Sequence, residues 1–349
     1  VGFLVGLPSW RLVGDYLAIV TLFFFQIFIT VVTNGDHLFG TNFTNGSNGI
    51  PNVDPFDLFG WEFPVANEGV FNVAYLYVAL LVFAVVIVLL RFLNASRTGR
   101  AWRSLREDPL AAEMMGMPVN RLKLMAFAFG AAVAALTGGI FASLNAGVFP
   151  QTFAFPLLIT VYTMVILGGS GSMAGVVVGA VIVNVLLEVL REPGDSRYVF
   201  YVVIAAALLL VLRPWPKLAA VLGATVALGF VARAIVGAIS DDAVGGAAEG
   251  GGWFARAIRH WVIVPADVDY WKPVTYVALV ALALLLTQVG GWLRLAVLVP
   301  TLYLTAFVWE NVMAPQPEPT RFIVLGVILI ATMVMRPEGI LGEKRVQIV

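Results

Sequence analysis

The fold this sequence predicts is an all-α, polytopic integral membrane protein of about ten transmembrane helices, and three observations predict it. Hydrophobic residues make up 60% of the 349 positions and charged residues only 12%, where soluble domains sit nearer half apolar and a quarter charged. Apolar runs such as 71–90 and 122–142 are long enough, at about 20 residues, to cross a hydrocarbon core about 30 Å thick as helix. The basic residues cluster at intervals that put them on one side of such a membrane. Helices rather than strands are expected, because an open strand would leave backbone polar groups unpaired in lipid.

Taken in order, the apolar runs occupy 12–33, 70–90, 122–146, 153–167, 173–190, 198–212, 218–239, 274–289, 295–309 and 322–335. Residues 34–69 are rich in Asn, Gly and Pro, as in Thr44-Asn-Gly-Ser-Asn-Gly49, and read as a turn-rich outer loop. The stretch 91–123 carries Arg91, Arg97, Arg100, Arg103, Arg106, Arg121 and Lys123, so it is expected in the cytoplasm. Counting from there places Arg213 with Lys217, Arg294 and the 336–345 tail inside, and 34–69, 240–273 and 310–320 outside. The run 153–167 is short, and a re-entrant hairpin in its place would break that agreement. Residues 241–252 form a Gly-rich linker. Beyond it, 253–264 alternates Trp253, Phe254, Ile258 and Trp261 with Arg256, Arg259 and His260. Both a helix lying in the membrane interface and an ordinary loop helix fit this pattern.

Composition removes several function classes. Lys and Arg number 21, as do Asp and Glu, and the pI is near 6.9, so no global charge favours nucleic acid. There is no cysteine, which removes disulfides, thiol catalysis and thiolate metal sites. The two histidines, His37 and His260, lie in polar connections, so no metal site, cofactor or catalytic residue is expected. Gly168-Gly-Ser-Gly171 resembles the nucleophile motif of rhomboid intramembrane proteases. A serine nucleophile needs a base within reach, and no span holds a histidine. No Walker A pattern is present, so any ATP hydrolysis belongs to another polypeptide. Asp15, Glu188 and Arg233 are the charges near or within span ends, each close enough to water to hydrate.

The sharpest local signal is Ser104-Leu-Arg-Glu-Asp-Pro-Leu-Ala-Ala-Glu-Met-Met-Gly-Met-Pro-Val-Asn120 in the basic loop. Asp108 can cap a helix, Pro109 suits its first turn, and Gly116 can end it in the left-handed conformation. A two-turn helix over 109–115 follows, exposing Glu113, Met114 and Met115. A plain loop helix and a docking surface both fit. Small residues recur every four positions at Gly130, Ala134 and Gly138, and again at Gly171, Gly175 and Gly179, which lets helix backbones approach closely in lipid.

The run Leu105-Arg-Glu-Asp-Pro-Leu-Ala-Ala-Glu-Met-Met-Gly116, followed by Asn120-Arg-Leu-Lys-Leu, resembles the cytoplasmic coupling loop of Liv-type branched-chain amino acid permeases of ABC importers. Three further stretches resemble the same family in the same order: Gly14-Asp-Tyr-Leu-Ala-Ile-Val-Thr-Leu22, Leu167-Gly-Gly-Ser-Gly-Ser-Met-Ala-Gly175 and Arg336-Pro-Glu-Gly-Ile-Leu-Gly342. Together the matches cover about residues 1–213 and 320–345. The resemblance implies a bacterial inner-membrane permease that moves branched-chain or related amino acids inward. It also implies two cytoplasmic ATPase subunits, a second permease subunit and an extracytoplasmic substrate-binding protein. Arg106, Glu107, Asp108, Ala111, Ala112, Glu113 and Gly116 would couple to the ATPase; Thr21, Gln26, Ser47, Asn48 and Gly49 would line the pathway. The alternative is a secondary transporter or channel for a small polar solute such as urea or an amide, which needs no docking helix.

Two departures from the family stand out. Phe23-Phe-Phe25-Gln26 replaces the small residues and acid usual there. The family's opening spans are missing and the chain opens at Val1, so a trimmed or partial sequence is expected; about a hundred residues intrude before the usual tail. Arg197-Tyr198 through Arg213-Pro214 and Arg321-Phe322 through Arg336-Pro337 repeat one pattern. Residues 1–213 are therefore read as a permease core, 214–320 as an accessory insertion and 321–349 as the terminal span and tail.

Overall fold

A computed structural model of the chain describes residues 6, 15–36, 40–58, 61–62, 73–212, 215–239, 244, 246, 252–265 and 272–342. The chain divides into two compact units, Val1–Leu158 with Arg345–Val349, and Ile159–Lys344.

The first unit runs α1 (Asp15–Thr33), β1 (Ile50–Pro51), the two-stranded hairpin β2 (Asp57–Leu58) and β3 (Trp61–Glu62), α2 (Val73–Ala95), α3 (Arg97–Glu107), α4 (Pro109–Met114), α5 (Val119–Leu144) and β4 (Gly147–Val148). A 3₁₀ turn, Pro150–Phe153, leads into α6 (Phe155–Gly168), inside which the unit boundary falls. In apolar helices a hydroxyl must be satisfied locally, and these are: Thr21, Thr30 and Thr137 donate to the carbonyls of Leu17, Gln26 and Val133 four residues back. At the end of α2 and α5 opposite the basic stretch, buried Tyr75 ties the loop to two helices. Its hydroxyl lies 3.0 Å from Ser143 Oγ and accepts from the Phe56 N–H at 3.1 Å, while Ser143 Oγ donates to the Asp54 carbonyl at 3.2 Å. β1 pairs antiparallel with β4, Ile50 opposite Val148 and Pro51 opposite Gly147.

In the second unit α7 (Met173–Val189), α8 (Pro193–Val211), α9 (Trp215–Ile239), α10 (Gly252–Arg259), α11 (Lys272–Gln288), α12 (Gly291–Val308) and α13 (Pro317–Met335) follow the end of α6. A π-helical turn, Trp309–Met313, extends α12. Both α9 and α11 pack against α12. α6 and α7 meet backbone to backbone: any side chain at Gly175 would overlap the Gly168 main chain, and one at Gly179 the Met164 carbonyl. The tail then docks on the turn between them, with the Ile340 N–H donating to the Leu167 carbonyl at 2.9 Å and the Leu341 N–H to that of Gly168 at 3.0 Å. Two of the four family-like stretches thus touch, although 160 or more residues separate them in the chain.

Among the described residues, seven helices are long and apolar enough to cross a membrane, and Met173–Val189 and Lys272–Gln288 are shorter apolar helices. The chain is therefore a multi-pass, essentially all-helical membrane protein. Each of the ten apolar runs coincides with a helix, α8 carrying Asp195 and Arg197 in its opening turns. The structure also departs from the sequence reading. α3 occupies a stretch with no expected helix of its own. α10 docks on protein, its Ile258 packing with Val262, Ala306, Phe307 and Val308, while Trp253 stays exposed. Glu310 belongs to the α12 extension rather than to a loop. Most of the Gly-rich stretch 241–252, His37, Arg213, Arg345 and the Asp15 side chain lie outside the described residues.

Candidate functional site

On the basic side, α2 and α5 are joined by an elbow of two short helices. Ser96 caps α3, its Oγ accepting the Gly99 N–H at 3.2 Å. Trp102 Nε1 donates to the Leu122 carbonyl at 2.9 Å and Arg103 to that of Asn94 at 2.8 Å, which pins α3 to the ends of both long helices. Asp108 then leaves helical geometry, with φ −149°, and its Oδ1 accepts from the N–H groups of Leu110 at 2.8 Å and Ala111 at 3.1 Å. Pro109 sits where no donor is required. At the far end Gly116 has φ +77°; its N–H donates to the Glu113 carbonyl and that of Met117 to the Ala112 carbonyl, the paired bonds of a glycine-terminated helix.

Both ends of α4 are thus closed, and its faces differ sharply. Ala112 is 3% exposed, whereas Leu110 is 65% and Met114 and Met115 are each 80% exposed. Three large exposed apolar side chains on an elbow otherwise rich in charged residues form a surface suited to a protein partner, the methionines being adaptable in shape.

At the opposite end of the same unit, a cavity of about 260 Å³ is lined by Phe28, Ile29 and Val32 of α1, by Thr44, Gly49 and Ile50, and by Val148, Pro150 and Phe153. Its lining is almost wholly apolar. An apolar slot of this size has room for an aliphatic group and offers almost nothing to hold a polar one. Gly49 is the pivot of its wall: it has φ +66°, and a side chain there would overlap the Val148 carbonyl. The Gln151 amide donates to the Ser47 carbonyl at 2.9 Å, holding the loop against the 3₁₀ turn.

The seven residues expected to couple fall together in the elbow. Arg106 and Glu107 are exposed in the last turn of α3, Asp108 and Gly116 are the caps of α4, and Ala111 and Glu113 face outward. Ala112 points inward instead, because one residue of helix turns the side chain by about 100°. Of the expected pathway residues only Gly49 reaches this cavity. Ser47 and Asn48 are exposed beside it, and Thr21 and Gln26 sit deeper on α1, Thr21 bonded to its own helix. Gly175 and Gly179 lie at the α6–α7 contact and Gly171 is in the turn between, with φ +99°. Gly130 and Gly138 have no described atom within 4 Å of an added side chain, and Ala134 is exposed.

Sequence reasoning missed the cavity, whose signal was the i, i+1, i+4 apolar set Phe28, Ile29 and Val32. It also missed the one buried ion pair among the described residues. Arg197 and Glu310 are 2% and 0% exposed, with Nη2 to Oε2 at 2.8 Å, Nε to both carboxylate oxygens at 2.9–3.0 Å, and Tyr201 donating to Oε1 at 3.2 Å. Of the charges singled out from sequence, Glu188 is exposed beside Arg191 and Arg233 donates to the Val262 carbonyl.

Comparison with known proteins gives the same direction. The family model described as branched-chain amino acid transport system / permease component matches residues 1–212. The high-affinity branched-chain amino acid transport system permease protein LivM of Escherichia coli K12 is 38% identical over 208 residues, 55% of this chain and 48% of that protein. The probable branched-chain amino acid transport permease protein LivM of Methanocaldococcus jannaschii is 28% identical over 237 residues, 62% of this chain and 64% of that protein. LivH of Salmonella typhimurium, a permease of the same kind of system, is 29% identical over 186 residues, covering 52% and 60%. The chain thus spans about half the length of the first of these relatives. No solved structure matches.

Proposed function

We propose a function from one premise: the chain belongs to the branched-chain amino acid transport permease family. It is the membrane-spanning subunit of an ATP-driven importer in a bacterial inner membrane. It moves leucine, isoleucine, valine or a related amino acid inward, with a second permease subunit, two cytoplasmic ATPases and an extracytoplasmic binding protein. The observation that carries this reading is α4, whose closed ends hold Leu110, Met114 and Met115 outward on the basic side. A subunit without an ATP site needs a rigid, exposed contact through which a separate ATPase can push. A secondary transporter or channel for urea or an amide would have no use for one.

The test is ATP-driven uptake by the assembled transporter alongside retention of the ATPase on the purified permease. Met114→Glu with Met115→Glu should lower ATPase retention about thirtyfold, in keeping with the loss of about 2 kcal/mol at an anchor residue. Uptake should fall with it while membrane insertion stays normal. Ala111→Glu should act the same way. Ala112→Glu is a test of folding instead, because that side chain is buried. Full uptake by the double variant, or uptake that needs no ATPase, would replace this reading with the secondary transporter. The aliphatic cavity beside Gly49 supports the substrate class, and the partner binding protein should prefer leucine, isoleucine or valine over urea or sugars.

A further inference from the structure

We propose that the groove between α8, α11 and α12 holds one anionic phospholipid, an acyl chain lying along the slot and the phosphate resting on Arg294. The groove has a volume of about 370 Å³ and is walled by Ile204, Leu208 and Leu212 of α8, Leu286 of α11, and Leu295, Leu298 and Leu302 of α12, with Arg294 the single charged lining residue. From Arg294 to Leu302 the wall spans eight helical positions, about 12 Å at 1.5 Å per residue. That is close to the hydrocarbon of one leaflet, about 15 Å as half of an about 30 Å core. The slot therefore has the depth and the apolar lining of an acyl-chain site.

Charge and level select the headgroup. Arg294 is exposed, and among the described residues no ion pair engages it. It lies at the end of the groove where α8 finishes and α12 begins, the side that the ten-span reading of the sequence assigns to the cytoplasm. Trp215 and Trp292 open α9 and α12 at that end and are 74% and 75% exposed, the placement of indoles that mark a membrane–water interface. Lys217, also exposed, sits in the first turn of α9, which packs on α12. A guanidinium at headgroup level beside a leaflet-deep apolar slot is complementary to a phospholipid with net negative charge, and basic pockets between spans on the cytoplasmic side take such headgroups. A zwitterionic lipid would fill the slot equally well but bring no net charge to Arg294.

The experiment reconstitutes the full chain in vesicles of equal phosphatidylglycerol and phosphatidylcholine, re-extracts it in mild detergent and counts the retained lipids by mass spectrometry. Phosphatidylglycerol should be retained in preference, near one per chain. Arg294→Gln should lower its retention about fivefold, Arg294→Lys should keep most of it, and Leu298→Trp should lower it by blocking the slot. Lys123→Gln, in the other unit, should leave it unchanged, which separates the site from general basicity. Variants are compared at matched elution volume and helical content. Equal retention of the two lipids, or loss with Arg294→Gln but not with Leu298→Trp, would overturn the proposal. So would a dimer dispersed by Leu298→Trp, which would make the groove a contact with a second copy.

Discussion

Arg197 and Glu310 stand 113 positions apart, and each reads in the sequence as an ordinary charge next to a span. In the fold they form a buried pair with three contacts of 2.8–3.0 Å, supported by Tyr201, while Phe200 stacks on Trp309 at a centroid distance of 4.1 Å. Removing one partner of such a pair leaves a bare buried charge, at a cost of about 3–5 kcal/mol. Glu310→Gln and Arg197→Leu should each lower the thermal midpoint of the detergent-purified chain markedly. The double variant Arg197→Leu with Glu310→Leu should melt above either single one, and additive losses would mean the pair is not the unit of stability. Tyr201→Phe removes one hydrogen bond to the buried carboxylate and should cost about 1.5–3 kcal/mol, less than loss of either charge. The cavity beside Gly49 offers a second test at this scale. Phe28→Ala enlarges the aliphatic slot without touching the elbow, so uptake of leucine should weaken while ATPase retention is unchanged.

Helix α4 was legible residue by residue, because Asp108, Pro109 and Gly116 punctuate it and caps act locally. Gly116→Val places a β-branched residue at φ +77°, costing about 1–2 kcal/mol in left-handed geometry. It should uncouple uptake, while Gly116→Asn, which tolerates that region, should keep most of it. Helix α3 was not legible: its sequence is basic, and its packing rests on single contacts made by Trp102 and Arg103 to segments it follows or precedes. The β1–β4 pair was equally invisible, since two residues against two carry no periodic signal. The absence of native cysteine makes it testable. Directly opposed residues in an antiparallel pair have Cα atoms about 4.5–5.5 Å apart, within disulfide range. Ile50→Cys with Val148→Cys should therefore oxidise to a cross-link without chain breakdown, whereas Ile50→Cys with Phe153→Cys should react less readily. Equal yields would argue against the register.

For the molecule as a whole, the relation of 214–320 to the rest is the main question. α8 and α13 are both 19 residues long, each opens on proline, and each places an arginine at its fifth position, Arg197 and Arg321, after a buried Ser196 or Thr320. This supports our proposal that the segment between them is an accessory insertion that arose with a duplicated helix; the family model also stops at residue 212. The insertion is nonetheless docked, since Glu310 lies in it and Arg197 outside it. Joining Leu212 directly to Met335 should therefore insert poorly on its own, with Arg197 stranded. The same deletion carrying Arg197→Leu should insert and retain the ATPase, because the Arg336–Gly342 tail can still reach Leu167 and Gly168. Failure of both would place the extra spans in the core.

The sequence by itself determined the membrane class, the positions of the apolar helices, the family and the capped helix α4. Each rests on composition, on runs longer than a bilayer or on residues within one helical turn of each other, so no distant contact is needed to read them. Only the tertiary structure decided which helix receives Arg197's charge, that the tail closes on the α6–α7 turn, that Ala112 faces inward, and that Gly49 rather than Thr21 or Gln26 borders the aliphatic cavity. Those outcomes depend on pairings between segments far apart in the chain. In lipid, where every helix is apolar on all sides, hydrophobic patterning no longer says which face meets which.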